Sequence, residues 1–221
     1  TIVPNLGVHP EQEGYRSESV ICELGQALTH QIQQIAARNQ VTMNTVMQAI
    51  WGVLLQKYNN SNDVVFGSVV SGRPEGIPGI ENMIGMFINT IPVRVQTRTG
   101  MTCADLMQNI QELAISSSSY DTYPLYEIQA QTKQKQDLVQ HIMVFENYPV
   151  EQEVEHGDIS DKTKLKIANF RGEEHTNYDF NVLVMPGREM QVHLQYNANV
   201  YSRVGVEQIK DHLIHLMNQV V

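Results

Sequence analysis

The stretch that most restricts this chain's fold runs from residue 42 to residue 58. Met43, Val46, Met47, Ile50, Trp51, Leu54 and Leu55 recur at helical spacing and form a wide apolar stripe. Thr42 stands where a helix N-cap belongs. A helix with so broad an apolar face must be largely buried, so other elements must surround it. A polar turn, Asn59-Asn60-Ser61-Asn62, follows, and then a β-rich run at residues 63–70, Asp-Val-Val-Phe-Gly-Ser-Val-Val. That run reads as a buried strand. A buried helix feeding a buried strand is the signature of a layered α/β core.

The remaining pattern fills in the layers. Strands are expected at residues 19–24, 86–95, 141–146, 165–170, 178–185 and 189–197, and Met185-Pro186-Gly187-Arg188 joins the last two as a hairpin. Helices are expected at 26–38, from Thr102 to about 118, at about 123–131 with Pro124 in its first turn, and from Ser202 to about 219. Residues 71–85, with Gly72, Pro74, Gly76, Pro78 and Gly79, form a loop. Residues 1–18 read as a polar lead-in and 19–221 as one folded unit. Helices interspersed with strands and a late antiparallel hairpin favour a mixed-sheet, two-layer α/β sandwich over a doubly wound parallel sheet.

Charge and composition remove several functional classes. The chain has 221 residues, 42% hydrophobic and 18% charged, so a packed domain is expected rather than disorder. A formal net charge of −9 argues against nucleic-acid binding and against docking on an anionic membrane. No run approaches the roughly 20 apolar residues of a membrane span, and the first residues do not pattern as a signal peptide. Cys22 and Cys103 have no metal-ribbon or redox spacing, which fits a reduced, cytoplasmic setting.

Two blocks carry a family resemblance. The first is Val64-Val65-Phe66-Gly67-Ser68-Val69-Val70-Ser71-Gly72-Arg73-Pro74. The second is Ile80-Glu81-Asn82-Met83-Ile84-Gly85-Met86-Phe87-Ile88-Asn89-Thr90-Ile91-Pro92-Val93-Arg94. Together they resemble the second half of condensation domains of nonribosomal peptide synthetases. Three shorter stretches agree in order: Tyr123-Pro124-Leu125-Tyr126-Glu127, Met143-Val144-Phe145-Glu146-Asn147-Tyr148-Pro149 and Asn177-Tyr178-Asp179-Phe180.

The resemblance implies a chloramphenicol-acetyltransferase-like lobe, one of two flanking a tunnel. It implies that donor and acceptor carrier proteins bring 4′-phosphopantetheine arms to that tunnel, with an adjoining adenylation domain and an N-terminal lobe as further partners. No cofactor or metal is expected to bind directly. The family's catalytic His-His-x-x-x-Asp-Gly motif belongs to the N-terminal lobe, and no two of the eight histidines here are adjacent. No catalytic residue is therefore assigned within this chain. Rival readings are a non-catalytic docking module, an epimerization-type sibling domain and a coenzyme-A-dependent acyltransferase. An isolated lobe is also expected to expose an apolar patch.

Several residues take a place beside the tunnel under this resemblance. Ser71, Gly72, Arg73, Phe87, Asn89, Tyr123 and Asn147 are the candidate substrate or pantetheine contacts. Pro74, Gly85, Arg94, Tyr178 and Asp179 are structural members of the motifs. Each contact candidate also has a plain alternative: a turn serine for Ser71, an ion pair for Arg73, a satisfied core amide for Asn89. His212 and His215 sit one helical turn apart near the C-terminus, where imidazoles complement the helix dipole. His175 lies close to Asp179 in sequence, but nothing around it supplies a nucleophile or oxyanion donors.

Overall fold

The computed structural model describes residues 1–4, 14–73, 76–146 and 176–221. Among these, six strands form one mixed sheet: β1 (Ser17–Glu23), β2 (Asp63–Val70), β3 (Asn89–Gln96), β4 (Ile142–Phe145), β5 (Phe180–Met185) and β6 (Gln191–Asn197). The strand order is β1-β6-β5-β4-β2-β3. The central pairs β2·β4 and β4·β5 are parallel, and the outer pairs are antiparallel. The architecture is thus the expected mixed-sheet α/β sandwich. The strand expected at residues 165–170 lies outside the described residues.

Four long helices pack on one face of the sheet: α1 (Gly25–Arg38), α2 (Met43–Asn59), α3 (Cys103–Ser117) and α5 (Arg203–Val220). A short helix, α4 (Leu125–Ala130), follows Pro124. The caps are those the sequence provides. The Thr45 amide donates to the Thr42 hydroxyl, and the Gly205 amide to that of Ser202. Thr102 and Asp105 form a reciprocal capping box at the start of α3. Asn60 ends α2 in a left-handed conformation, where asparagine is tolerated.

Alternation within the strands decides what faces the helices. Val20 and Cys22 of β1, Val64 and Phe66 of β2, Val182 and Val184 of β5, and Leu194 and Tyr196 of β6 all enter the core. Helix α2 runs through the middle of this layer and is buried over most of its length. It approaches β3 so closely at Gly52 that an added Cβ would lie 2.6 Å from a Val95 methyl.

A row of rings crosses this core. Trp51 of α2 stacks on Phe180 of β5 at 6.1 Å and stands edge-on to His141 at 5.7 Å. His141 stacks on Phe66 of β2 at 6.0 Å, and Phe180 meets Tyr201 at 5.2 Å. The Trp51 indole N–H donates to His141 Nε2 at 3.0 Å. The ring row ties α2 to the strands beneath it, so it is a main determinant of how the layers sit together.

Two boundaries differ from the sequence reading. Strand β3 starts at Asn89 instead of residue 86. The cause lies on its partner strand. The last ladder pair is Val70 with Asn89, and two residues further on Gly72 turns into the left-handed region at φ 61°. The partner backbone is no longer extended there, so Phe87 has nothing to pair with. At the other end, Ser17 and Glu18 of the lead-in already belong to β1. Val3 is buried in the core, and Asn59 holds both polar groups of the Ile2 backbone.

Candidate functional site

The parallel strands direct the two motif blocks to one end of the sheet. Ser71, Gly72 and Arg73 leave the carboxyl end of β2, and Asn89 opens the antiparallel neighbour β3 at the same level. Phe87 and Tyr123 join them there. Tyr178 and Asp179 precede β5 and therefore lie at the opposite end. The separation is roughly 20 Å along the strands, at about 3.3 Å per residue. Asn147 and Pro74, like His175, lie outside the described residues.

Gly72 is the conformational key to this end. An added Cβ would fall 1.7 Å from the Phe87 carbonyl oxygen, and the backbone is left-handed. Both constraints demand glycine. A Gly72→Ala variant should lose about 2 kcal/mol or more of stability from strain and collision. Gly76→Ala, which meets open space, should stay within about 0.5 kcal/mol of the parent. Urea denaturation midpoints of the two variants check this; equal midpoints would show that the turn is not held as described.

Arg73 is held by the loop that follows it. Its Nη1 donates to the Ile80 carbonyl and its Nη2 to the Met83 carbonyl at 3.1 Å. Its guanidinium carbon lies 4.2 Å from the centroid of the Phe87 ring, a cation–π geometry. Among the described residues its partners are thus two carbonyls and a ring. Gly85 packs under the same ring, with an added Cβ reaching 3.2 Å from it.

Asn89 uses its amide group locally. Its Nδ2 donates to the carbonyls of Asp121 at 2.8 Å and Tyr123 at 2.9 Å. It thereby fixes the turn between α3 and α4 and sets where Tyr123 stands. Ser71 is exposed, and its hydroxyl accepts a long bond of 3.5 Å from the Arg73 amide, as in a turn serine.

Arg94 lies away from this end. It forms a two-bond pair with Asp63, Nε to Oδ1 at 2.9 Å and Nη2 to Oδ2 at 2.6 Å. Hydrogen bonding from Arg94 holds the Asp63 carboxyl below its ordinary range. The pair is exposed, so its contribution is about 0–1 kcal/mol.

The opposite end is organised by Asp179. Its carboxylate accepts from Asn197 Nδ2 at 2.8 Å, and its backbone carbonyl accepts from the Asn197 amide at 2.9 Å. A polar cavity of about 770 Å³ opens there, lined by Asn177, Tyr178, Asp179, Gln129, Gln140 and Tyr201 among others. His212 bonds Tyr58 at 2.7 Å, and His215 accepts from Gln219. Among the described residues, no three His, Cys, Asp or Glu side chains come together as a metal site would require. Both cysteines are free, Cys22 buried and Cys103 exposed, and no described helix is long and apolar enough to cross a membrane.

Sequence reasoning did not single out His141. Burial pushes its imidazole down to about 3, so it is neutral in the fold. Its only signal in sequence is a histidine directly before an apolar strand, which does not reveal the indole partner 90 residues away. The buried bond from Gln48 of α2 to Ser68 of β2, 3.1 Å, was equally silent.

Comparison with known proteins places these features in a family. A family model described as "Condensation domain" matches residues 2–221. A mycosubtilin synthase polypeptide of Bacillus subtilis is 54% identical over 211 residues, 96% of this chain but 8% of the relative. Tyrocidine synthase 3 of Brevibacillus parabrevis is 44% identical over 220 residues, 99% of this chain and 3% of the relative. This chain therefore spans a small part of these curated relatives.

Among solved structures, the four-domain nonribosomal peptide synthetase holo-AB3403, bound to AMP and glycine, superposes with a TM-score of 0.81 over 98% of this chain and 17% of that one, at 19% identity. The X-domain from teicoplanin biosynthesis gives 0.76 over 100% of this chain and 50% of its own, also at 19% identity. The first condensation domain of the CDA synthetase gives 0.68 over 93% and 45%, at 14% identity.

Proposed function

This chain belongs to the condensation-domain family of nonribosomal peptide synthetases, and we propose that it is the C-terminal lobe of an amide-forming member. The observation that carries the proposal is a length relation. Nearly the whole chain superposes on about half of each single-domain structure. A half-domain that forms one wall of a two-lobed tunnel accounts for that ratio.

In this reading the acceptor amine attacks the donor thioester carbonyl. A C–N bond forms, the C–S bond breaks, and the donor pantetheine leaves as its thiol while the amine gives up a proton. The histidine that handles this proton or stabilises the tetrahedral intermediate comes from the other lobe. This chain contributes wall and alignment. Ser71, exposed at the carboxyl end of β2, is positioned to hydrogen-bond a pantetheine arm. Asn89 sets Tyr123 at the rim through the 121–123 turn. Carrier proteins present 4′-phosphopantetheine, an adenylation domain supplies activated amino acids, and the setting is cytoplasmic.

The test is a condensation assay with two loaded carrier proteins, read as dipeptidyl thioester by mass spectrometry. Product should appear only when this chain is combined with a condensation-domain N-terminal lobe. Product from this chain alone would overturn the division of labour. Binding of the added lobe without any product would leave a docking module in place of half an enzyme.

A further inference from the structure

The cavity at the Asp179 end of the sheet has a one-sided chemistry. Its volume of about 770 Å³ lies within the range of about 300–1,000 Å³ usual for small-molecule sites. Among the described residues that line it there is no lysine, arginine or histidine, and the charged side chain is that of Asp179. Oδ1 of that carboxylate accepts from Asn197 Nδ2 at 2.8 Å, and no cationic side chain pairs with it among the described residues. Asn197 is itself locked, because its Oδ1 accepts the Arg16 and Asn199 amides, each at 3.1 Å. The carboxylate is therefore exposed, fixed in place and left with unused acceptor capacity.

The other walls suit a cation with an apolar stem. Tyr178 and Tyr201 add aromatic rings beside Asp179, and ring faces attract ammonium groups. Tyr201 is held edge-on to Phe180 at 5.2 Å, and its amide donates to the Asn197 carbonyl at 2.9 Å. Burial, and then the Asp179 charge, push its phenol up to about 12, so ring and carboxylate share one electrostatic environment. Gln129 of α4, Gln136 after it, Gln140 before β4 and Asn177 before β5 bring carboxamide oxygens from four separate segments. Ile2, Val3 and Val139 supply aliphatic surface between them and Asp179. An anion finds no cationic side chain here, and a lone ammonium leaves most of the volume unfilled. We propose that this cavity binds a short aliphatic diamine, with one ammonium on Asp179, its methylene chain along the aliphatic wall and its second ammonium on the carboxamide oxygens. The site stands at the opposite end of the sheet from Ser71 and does not depend on the two-lobe reading.

Calorimetric titration of this chain with cadaverine tests the proposal. One-to-one binding is expected, tighter at about 20 mM than at about 200 mM salt because the carboxylate is exposed to screening. Asp179→Asn keeps an acceptor for Asn197 and removes the charge, so it should weaken binding by about tenfold to a hundredfold. Tyr178→Leu removes one ring face and should weaken it by about two- to fivefold. Pentanediol, of the same length without charge, should not bind, and pentylamine should bind several-fold more weakly than the diamine. Melting temperatures of the free variants report whether the fold is kept. Should Asp179→Asn melt lower than the parent, Tyr178→Leu and the comparison of the three ligands carry the test on the intact fold.

Parent-like affinity in a folded Asp179→Asn variant would overturn the site. Binding of pentanediol as tight as that of cadaverine would overturn charge as its basis. Equal affinity for pentylamine and cadaverine would overturn the role given to the carboxamides. No binding of cadaverine by the parent chain would remove the inference outright and leave the condensation-lobe reading untouched, since that reading is tested at the other end of the sheet.

Discussion

Replacing Trp51 with alanine should destabilise the chain by about 3–5 kcal/mol, the usual range for removing a fully buried large aromatic. Three losses add here. The indole leaves a cavity between α2 and the sheet. Phe180 loses its stacking partner, and His141 loses the one hydrogen bond its ring makes among the described residues. Against a typical total stability of about 5–15 kcal/mol, that loss is enough to leave a large unfolded fraction. Trp51→Phe separates the contributions. It keeps ring packing against Phe180 but removes the N–H, so it should cost about 1–2 kcal/mol. Urea denaturation followed by circular dichroism checks both values. Near-equal midpoints for the parent and Trp51→Ala would show that the ring row does not hold the layers together.

Acid should destabilise the fold through His141 with a definite sign and window. The imidazole is neutral in the core because burial pushes it down to about 3, against an ordinary value near 6.5. Below pH 6.5 the unfolded chain takes up a proton that the folded chain refuses. Stability from this group is therefore complete above about pH 6.5. It declines as pH falls, by about 1.4 kcal/mol per unit at most, and is exhausted near pH 3. Over the whole window the loss is on the order of 5 kcal/mol.

His141→Gln keeps an acceptor for the Trp51 indole and cannot titrate. Its stability should fall more gently between pH 6 and 4 than that of the parent. His193, half-buried and also lowered by burial, contributes in the same direction in both proteins and cancels in the comparison. Parallel stability–pH curves for the two would show that His141 is not held neutral in the fold.

Much of the fold was legible because local and global preferences agree. The stripe from Met43 to Leu55, the Thr42, Thr102 and Ser202 caps, and the run from Val64 to Val70 each specify one structure with little help from outside. The boundary error at β3 is instructive for the opposite reason. Residues 86–88 are as β-prone as the residues after them. Whether they join a ladder depends on their partner, and that partner ends at a left-handed glycine.

The site was legible only as a set of residues. Sequence placed Ser71, Arg73, Asn89 and Tyr123 in one family pattern, and register brings all four to one end of the sheet. It also named Tyr178 and Asp179, which parallel pairing sends to the other end. Nor could sequence say what each group touches. Nothing local in the sequence indicates that Arg73 reaches two loop carbonyls and the Phe87 ring, the partners it has among the described residues. His141 meets Trp51 across a 90-residue separation that no local pattern encodes.

The division follows from range. Helix stripes, caps and strand runs depend on neighbours within a few positions, so the amino-acid order by itself determined the elements and the α/β class. Strand order, the direction in which each loop leaves the sheet, and the partners of His141, Arg73 and Asn89 depend on contacts between distant segments. Only the tertiary structure decided those, because each is settled by which backbone and which side chains happen to be packed alongside once the layers close.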